Sequence, residues 1–279
     1  MNHPPLVYII VLTWNGKSDT IECLQSLQKL SYPNYKIIVV DNASIDGTAD
    51  EVMRLYPSVE LVRNSSNLRF AGGNNIGINI ALKKKADYVL LLNNDTIVDV
   101  NFLSHLIEAA ESDEHVGMAG PKIYYHSDQK RIWYAGGKID WWTGSVSHLG
   151  VREIDKGQFI KLKYTDYVTG CALLVKREVV EKIGLLDESY FIYGEDADWS
   201  LRTAGAGYKL LFVPQAILWH KVSVSTGGHF SWFKNWNKLK SQLRFLFRYA
   251  KPYHWLTIPL LLPLNILLTI YRSKKINIQ

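Results

Sequence analysis

Four short apolar runs, rich in β-branched residues, occur in the first hundred residues, and helix-like stretches separate them. The runs are Leu6–Trp14, Lys36–Asp41, Val59–Asn64 and Tyr88–Asn93. Strands that alternate with helices need crossover connections, which are right-handed and leave neighbouring strands parallel. The pattern therefore predicts an α/β fold whose mainly parallel, mixed sheet is covered by helices on both faces.

The rest of the chain is predicted to contain further helices and strands, but its middle part has no regular apolar pattern. Residues 120–165 contain glycine-rich turns and aromatic residues and show no clear period. Apolar spacing and flanking residues predict the remaining elements. The predicted helices are Lys17–Leu30, Ile45–Tyr56, Asn74–Lys85, 99–112, Arg177–Ile183 and Asp196–Ala204, and the later strands are Tyr167–Val175, Lys209–Val213 and Ala216–His220.

Charge is unevenly distributed along the 279 residues, although the net charge is only +6. From Trp199 to Gln279 there are twelve Lys or Arg and no Asp or Glu, whereas residues 1–198 hold more acidic than basic residues. This asymmetry indicates that the C-terminal part meets a polyanion or an anionic membrane. Two cysteines form no disulfide framework, and the N-terminus lacks signal-peptide features, so a cytoplasmic protein is expected.

The C-terminal residues 226–279 are predicted to form a basic, apolar helical tail. An amphipathic stripe runs through residues 232–250, and Trp255–Ile270 is apolar for sixteen residues but is interrupted by Pro259 and Pro263. A membrane-spanning helix needs roughly 20 apolar residues. We therefore expect an amphipathic extension that lies on the membrane surface. The alternatives are a pair of helices docked on the domain or on a second subunit, as in a homodimer, and, third, a true membrane span.

Polar side chains follow each of the four predicted strands. In a parallel α/β sheet, ligands bind beyond the carboxyl ends of the strands. The motifs G-x-G-x-x-G and G-x-x-x-x-G-K-[ST] are both absent, which disfavours a nicotinamide dehydrogenase and a P-loop ATPase. A sugar-nucleotide site instead needs a carboxylate for the base or ribose and another for a divalent cation on the diphosphate. Asp41 and Asp95 suit these two roles.

Seven sequence blocks in order resemble one known family. They are VLTWNG, VVDNASIDGT, NLRFAGGNNIG, LLLNNDT, DYVTGCALLVKREV, GLLDESYFIYGEDADWSLR and LWHKVSVS, and they span roughly residues 6–222. The chain resembles inverting nucleotide-sugar glycosyltransferases of the GT-A fold, family 2, in their rhamnosyltransferase-like branch. The resemblance implies a Rossmann-like GT-A domain over 1–225, with a nucleotide-binding part at about 1–98 and an acceptor-binding part at about 99–225.

The resemblance also implies roles for single residues on the donor side. Asp41 would contact the nucleobase, and Asn67 and Arg69 would help to enclose the nucleotide. Asn93 and Asp95 occupy the outer positions of the family's D-x-D motif, so Asp95 would bind Mg²⁺ or Mn²⁺ and Asn93 the ribose. His220 would be a second metal ligand. The full donor-binding prediction comprises Thr13, Asn15, Asp41, Asn67, Arg69, Gly73, Asn74, Asn93, Asn94 and Asp95.

On the acceptor side, three carboxylates occur together in GEDADW, at Glu195, Asp196 and Asp198. Acids at a helix start also favour the helix dipole, and helical periodicity cannot choose a general base among them. The resemblance selects Asp196 as the base, with Glu195 as a neighbour that binds the acceptor. Thr169, Gly170 and Trp199 are expected to line the acceptor pocket.

Substrate identity follows from the resemblance only in outline. The family branch implies dTDP-L-rhamnose as donor, with UDP-hexoses next, and a saccharide or polyprenyl-linked saccharide acceptor at the inner membrane face, as in cell-surface polysaccharide synthesis. No nucleic-acid partner is expected. Two alternatives are a sugar-nucleotide nucleotidyltransferase and a non-catalytic membrane-bound carbohydrate-binding module. The first would need a basic glycine-rich loop after the first strand, where the sequence offers only Lys17.

Overall fold

The structure is a computed structural model that describes residues 3–222 and 232–265. A ten-stranded mixed sheet forms its centre. The strands β1 (Val7–Thr13), β2 (Tyr35–Asp41), β3 (Glu60–Arg63) and β4 (Tyr88–Asn93) are parallel and lie in the order β4-β1-β2-β3. The register pairs Thr13 with Asp41 and Leu12 with Asn93, so the carboxyl ends of these strands lie side by side.

The second half of the sheet mixes strand directions. Its strands are β5 (Thr96–Val98), β6 (Val116–Tyr125), β7 (Asp128–Tyr134), β10 (Lys163–Tyr164), β11 (Ala172–Lys176) and β12 (Lys209–His220), while β8 (Gly137–Asp140) and β9 (Ser145–His148) form a separate hairpin. β11 lies antiparallel between β4 and β6, and β12 is parallel to β6. The sheet is therefore mixed, as predicted, with its parallel strands concentrated in the N-terminal half.

Helices cover both faces of the sheet, and each face has its own hydrophobic cluster. The helices are α1 (Lys17–Leu27), α2 (Thr48–Leu55), α3 (Arg69–Lys83), α4 (Phe102–Glu111), α5 (Arg177–Ile183), α6 (Glu195–Gly205) and α7 (Trp232–Tyr249). α1, α2 and α4 contribute Leu24, Val52 and Leu106 to one cluster. α3, α5 and α6 contribute to the other, which contains Ile78 and Trp199. The central strands are therefore buried on both faces, which explains why their sequences are continuously apolar.

Two glycines let α3 lie unusually close to β1. A Cβ atom on Gly73 would lie 2.4 Å from Leu12 Cδ1, and one on Gly77 would lie 2.6 Å from Ile10 Cγ2. These glycines therefore serve close packing of helix on strand.

Some predicted elements differ from the observed ones. The predicted strand Tyr167–Val175 begins only at Ala172, and residues 120–165 contain most of β6 and all of β7–β10. The two predicted strands around Pro214 are one strand, β12, whose register against β6 shifts between Val213 and Ile217. Proline cannot donate to the ladder, and this bulge accommodates it without ending the strand.

The C-terminal helices are docked on the domain. α7 is followed by a 3-10 helix (Pro252–Leu256) and a helical segment at 258–265. Phe245, Leu246 and Ile258 share a hydrophobic cluster with Ile139 of β8 and Ala197 of α6. The predicted boundary at residue 225 lies outside the described residues. The end of the predicted apolar stretch, beyond residue 265, lies outside the described residues.

Candidate functional site

Asp95 and His220 meet at the carboxyl edge of the sheet. Asp95 directly precedes β5 and His220 ends β12, and these two strands pair antiparallel with His220 opposite Thr96. The main-chain N–H of Lys221 donates to the Asp95 carbonyl oxygen at 2.9 Å. His220 Nε2 lies 3.1 Å from Asp95 Oδ1, and both side chains are at least nine-tenths buried. Long-range strand pairing thus brings together the two residues predicted as metal ligands.

The geometry of this pair suits a divalent cation. Neighbouring ligands of an octahedral Mg²⁺, with bonds of roughly 2.1 Å, lie about 3 Å apart, close to the observed separation. Burial lowers the pKa of His220, but the adjacent Cys171 and Asp95 raise it by more than burial lowers it. The pKa of His220 therefore lies above its usual value. Among the described residues no three His, Cys, Asp or Glu form a metal cluster. The remaining ligands of a cation at this pair would have to come from substrate or solvent.

Asp41 offers a buried acceptor at the neighbouring strand end. Its side chain is 3% exposed, and Oδ2 accepts the main-chain N–H of Ser44 at 3.1 Å. Oδ1 is buried and has no hydrogen-bond partner among the described residues. An unpaired buried acceptor is costly, so this oxygen is suited to a donor N–H of a ligand.

Asn67 and Arg69 lie at the mouth of this region. Asn67 Oδ1 accepts the main-chain N–H of Arg69 at 2.8 Å and holds Arg69 in a left-handed conformation with φ of 62°. The Arg69 guanidinium lies 3.4 Å from the ring centroid of Phe191. Asn67, Arg69 and Glu188 line a cavity of about 230 Å³. The loop before α3 is therefore joined to the segment that leads into α6.

Four of the predicted donor-binding residues make their observed contacts within the protein. Thr13 and Asn94 belong to a network in which Asn94 Nδ2 donates to Thr20 Oγ1 at 3.0 Å, and the hydroxyls of Thr13 and Thr20 lie 2.8 Å apart. Gly73 packs on β1, and buried Asn74 donates to the Phe70 carbonyl oxygen at 2.9 Å. These four support the loops that carry the site.

Asn15 joins two of these loops at the rim. Its main-chain N–H donates to Ser44 Oγ at 2.8 Å, and its Oδ1 accepts the N–H of Ile45 at the same distance. The β1–α1 and β2–α2 loops are thereby held together beside Asp41.

Asp196 is held at the start of α6 with its carboxylate oriented. Oδ2 accepts the main-chain N–H of Gly170 at 2.9 Å, and Oδ1 accepts that of Ala197 at 2.8 Å. Burial raises the pKa of this carboxyl, and the N–H groups partly offset the effect. A Cβ on Gly170 would lie 2.8 Å from the ring of Phe70, so glycine permits this close approach. The group is fixed, half-buried and suited to accept a proton.

Glu195 is buried beside Asp196. Its Oε2 has no hydrogen-bond partner among the described residues. Burial, followed by the charge of Asp196, raises the pKa of Glu195. The raised pKa favours the protonated form, which can donate a hydrogen bond, whereas an ionised carboxylate cannot.

Two of the residues predicted on the acceptor side are buried and make their polar contacts within the protein. Trp199 is fully buried, and its Nε1–H donates to the Gly184 carbonyl oxygen at 2.9 Å, so the ring cannot stack on a sugar. Thr169 is also buried, and its hydroxyl oxygen faces the N–H of Cys171 at 3.4 Å within a turn. Sequence reasoning missed Phe70, which packs on Gly170, because no local pattern distinguishes it from a core residue.

The segment Thr169–Cys171 joins the two halves of the site. Gly170 binds Asp196, while the Cys171 carbonyl oxygen accepts the main-chain N–H of Asn93 at 2.9 Å and its thiol adjoins His220. Asp196 and the Asp95–His220 pair therefore lie on opposite sides of the segment Thr169–Cys171. One edge of the sheet thus combines the Asp95–His220 pair, an unpaired acceptor on Asp41 and a fixed carboxylate.

Comparison with known families and proteins identifies the family of this chain. The family model described as Glycosyl transferase family 2 matches residues 8–184. A rhamnosyltransferase, WbbL, of Escherichia coli is 26% identical over 87% of this chain and 93% of its own length. The N-acetylglucosaminyl-diphospho-decaprenol L-rhamnosyltransferase of Mycobacterium tuberculosis is 25% identical over 78% of this chain and 77% of its own length. An uncharacterised protein of Sinorhizobium fredii is 31% identical over 81% of this chain, which spans only 26% of that protein.

Solved structures share the fold at low identity. GalNAc-T7, crystallised with UDP, GalNAc and Mn²⁺, has a TM-score of 0.72 at 20% identity over 91% of this chain and 49% of that chain. The mannosyltransferase PcManGT of Pyrobaculum calidifontis, in complex with GDP-Man and Mn²⁺, has a TM-score of 0.62 at 20% identity, over 94% of this chain and 73% of that chain. These likenesses establish the GT-A fold.

Proposed function

Because the chain belongs to glycosyltransferase family 2, we propose that it moves a sugar from a nucleoside diphosphate sugar to a hydroxyl group of a saccharide acceptor, with inversion at the anomeric carbon. The observation that carries the proposal is the segment Thr169–Cys171, which holds Asp196 on one side and adjoins the Asp95–His220 pair on the other. Family membership favours this activity over the nucleotidyltransferase and carbohydrate-binding alternatives.

On the donor side, Asp41 accepts a hydrogen bond from the nucleobase through its unpaired Oδ1. Asn67 and Arg69 border the nucleotide, and Asn93 contacts the ribose. Asp95 and His220 would hold Mg²⁺ or Mn²⁺, which would neutralise charge on the departing diphosphate. The sheet edge thereby fixes the donor with its anomeric carbon towards α6.

On the acceptor side, Asp196 takes the proton from the attacking hydroxyl as its oxygen bonds to the anomeric carbon. The bond from that carbon to the diphosphate oxygen breaks on the opposite face, so the configuration inverts. Protonated Glu195 donates a hydrogen bond to the acceptor. Its buried, unpaired Oε2 supports this role.

The donor we propose is dTDP-L-rhamnose, with UDP-hexoses as the next candidates. Relatives named as rhamnosyltransferases support it, among them a dTDP-rhamnosyl transferase of Shigella flexneri that is 24% identical over 77% of this chain and 69% of its own length. The acceptor we propose is a lipid-linked saccharide at the cytoplasmic face of the membrane, supported by the decaprenol-linked substrate in the name of the mycobacterial relative.

We expect dTDP-L-rhamnose with Mn²⁺ to raise the melting temperature more than other sugar nucleotides do. A ligand at 100 times its Kd adds about 2.7 kcal/mol to the free energy of unfolding. Asp41→Asn should lose most of this shift, because the amide presents an N–H where the base needs an acceptor. Asp50→Asn, on the exposed surface of α2, is the matched control. If no sugar nucleotide shifts the melting temperature or acts as donor, the proposed function is wrong.

The exposed side of the C-terminal helices is the proposed membrane contact. We define the C-terminal ridge as Phe247, Leu256, Leu260 and Leu264, of which the first three are 72%, 76% and 74% exposed. Leu260 and Leu264, four residues apart in the helical segment 258–265, share a helix face, and Leu256 ends the 3-10 helix just before that segment. The ridge lies in a part of the chain that has no acidic residue. Among the described residues no helix is long and apolar enough to cross a membrane, so the proposed contact is interfacial.

We expect Leu256→Asp with Leu260→Asp to weaken binding to vesicles that contain anionic phospholipid. Burying a leucine side chain contributes about 1.5–3 kcal/mol, so losing two should lower the vesicle affinity roughly a hundredfold or more. Ile160→Asp, at an exposed site outside the ridge, is the control. Co-sedimentation with vesicles measures the effect, and equal partitioning of both variants would exclude the ridge as the membrane contact.

A further inference from the structure

Asp198 is a fully buried carboxylate on which four side chains converge. Arg202, in its own helix, donates to Oδ2 at 2.8 Å. Tyr249 and Arg248, both of α7, donate to Oδ1 at 2.7 and 2.9 Å, and Tyr190 lies at 3.4 Å. Burying a charge is costly unless it is paired and hydrogen-bonded. α7 therefore supplies half of the partners that keep this carboxylate inside the protein.

α7 also binds the segment that leads into α6. Arg248 Nη1 donates to Asp187 Oδ2 at 2.8 Å as well as to Asp198. Arg244 Nη1 donates to the Ser189 carbonyl oxygen at 2.6 Å. Both arginines belong to the basic tail that was expected to lie on a membrane surface, but their side chains bind the domain.

The first turn of α6 carries both Asp198 and Asp196. Asp198 is tied to α7, and Asp196 is hydrogen-bonded to Gly170 on the opposite, active-site side. Gly194, just before this turn, has φ of 96°, a left-handed conformation that favours glycine. A small rotation of this turn would move the Asp196 carboxylate away from the Gly170 N–H. Misplacing a reacting group by about 1 Å can cost a hundredfold in rate.

We infer that Asp198, held by Arg248 and Tyr249, is a positioning residue for the catalytic carboxylate, and that α7 is a required part of the active centre. The inference rests on the proposed role of Asp196 as base. It follows that sugar transfer needs α7 whether or not a membrane is present. Removing the C-terminal segment would therefore confound membrane release with loss of catalysis.

The test compares Tyr249→Phe, Arg248→Met and Arg248→Lys in the full chain, with a soluble acceptor analogue and no membrane. We expect Tyr249→Phe and Arg248→Met to lower kcat about tenfold, the factor that matches one lost hydrogen bond to a charged group. The KM for the donor should stay unchanged, because the donor residues lie on other elements. Arg248→Lys keeps the charge and should restore part of kcat. Tyr253→Phe, at a half-exposed ring of the same segment, is the matched control.

The alternative is a purely structural role for the network. In that case Tyr249→Phe and Arg248→Met would lower the melting temperature while kcat, measured well below it, stays at the wild-type value, and this result would overturn the inference. A rise in donor KM that matches the fall in kcat/KM would also overturn it. Failure of the wild-type chain to transfer any sugar would instead refute the proposed function.

Discussion

Asp196→Asn is expected to abolish sugar transfer while donor binding is retained. The amide cannot accept a proton at neutral pH, and a positioned general base contributes about 10²–10⁴-fold to a rate. Asparagine has nearly the same shape, and its oxygen can keep one of the two main-chain hydrogen bonds from Gly170 and Ala197. The measurements are kcat with a saturating acceptor, and the melting-temperature shift caused by the donor.

The pH dependence gives an independent check on the same residue. Transfer requires the ionised base, and burial raises the pKa of Asp196. The acidic limb of the wild-type kcat profile should therefore lie above the usual carboxylate range, with an apparent pKa that belongs to the Glu195–Asp196 pair. Asp50→Asn should behave as wild type. Near-normal turnover by Asp196→Asn would exclude Asp196 as the base.

Asp95→Ala and His220→Ala are each expected to lower kcat/KM by about a thousandfold, since a cation on the leaving group provides several kcal/mol of stabilisation. Both variants should also lose the melting-temperature shift that Mn²⁺ adds to that of the nucleotide. The chain offers a matched control, because His115 and Asp113 form a comparable pair at 3.1 Å on the protein surface. Asp113→Ala and His115→Ala should leave the response to Mn²⁺ unchanged. A normal Mn²⁺ response in Asp95→Ala would contradict the assignment.

The sequence was most informative where a local pattern decides the structure. Apolar runs that end in polar residues predicted β1 to β4, and the rule that ligands bind at their carboxyl ends pointed to Asp41 and Asp95. His220 meets Asp95 only because β12 pairs with β5. No local pattern encodes that pairing, so the expectation for His220 depended on family resemblance.

Which strand-end residues face the site was harder to predict. Asn94 and Asp95 form the turn between β4 and β5, where strand alternation gives no guide to side-chain direction. Asn94 points towards Thr13 and Thr20, whereas Asp95 meets His220. Trp199 was expected to line the acceptor pocket because it lies close in sequence to Asp196, the proposed base. Its ring instead packs in the hydrophobic core, so Trp199 is buried.

The C-terminal helix illustrates a different limit. Its amphipathic pattern correctly predicted a helix, observed as Trp232–Tyr249. Basic residues on such a helix suggested a membrane surface, but Arg248 binds buried Asp198 and Asp187. A sequence pattern shows where charges lie along a helix, and it does not show which partner faces them across the fold.

The most direct test of the central claim is a crystal structure of the protein with Mn²⁺ and dTDP, with the cation identified by its anomalous scattering. We expect one strong anomalous peak that marks a cation beside Asp95 and His220. The diphosphate should contact this cation, and the base should contact Asp41. An anomalous peak elsewhere on a nucleotide-bound molecule, or a nucleotide bound away from this edge of the sheet, would contradict the account.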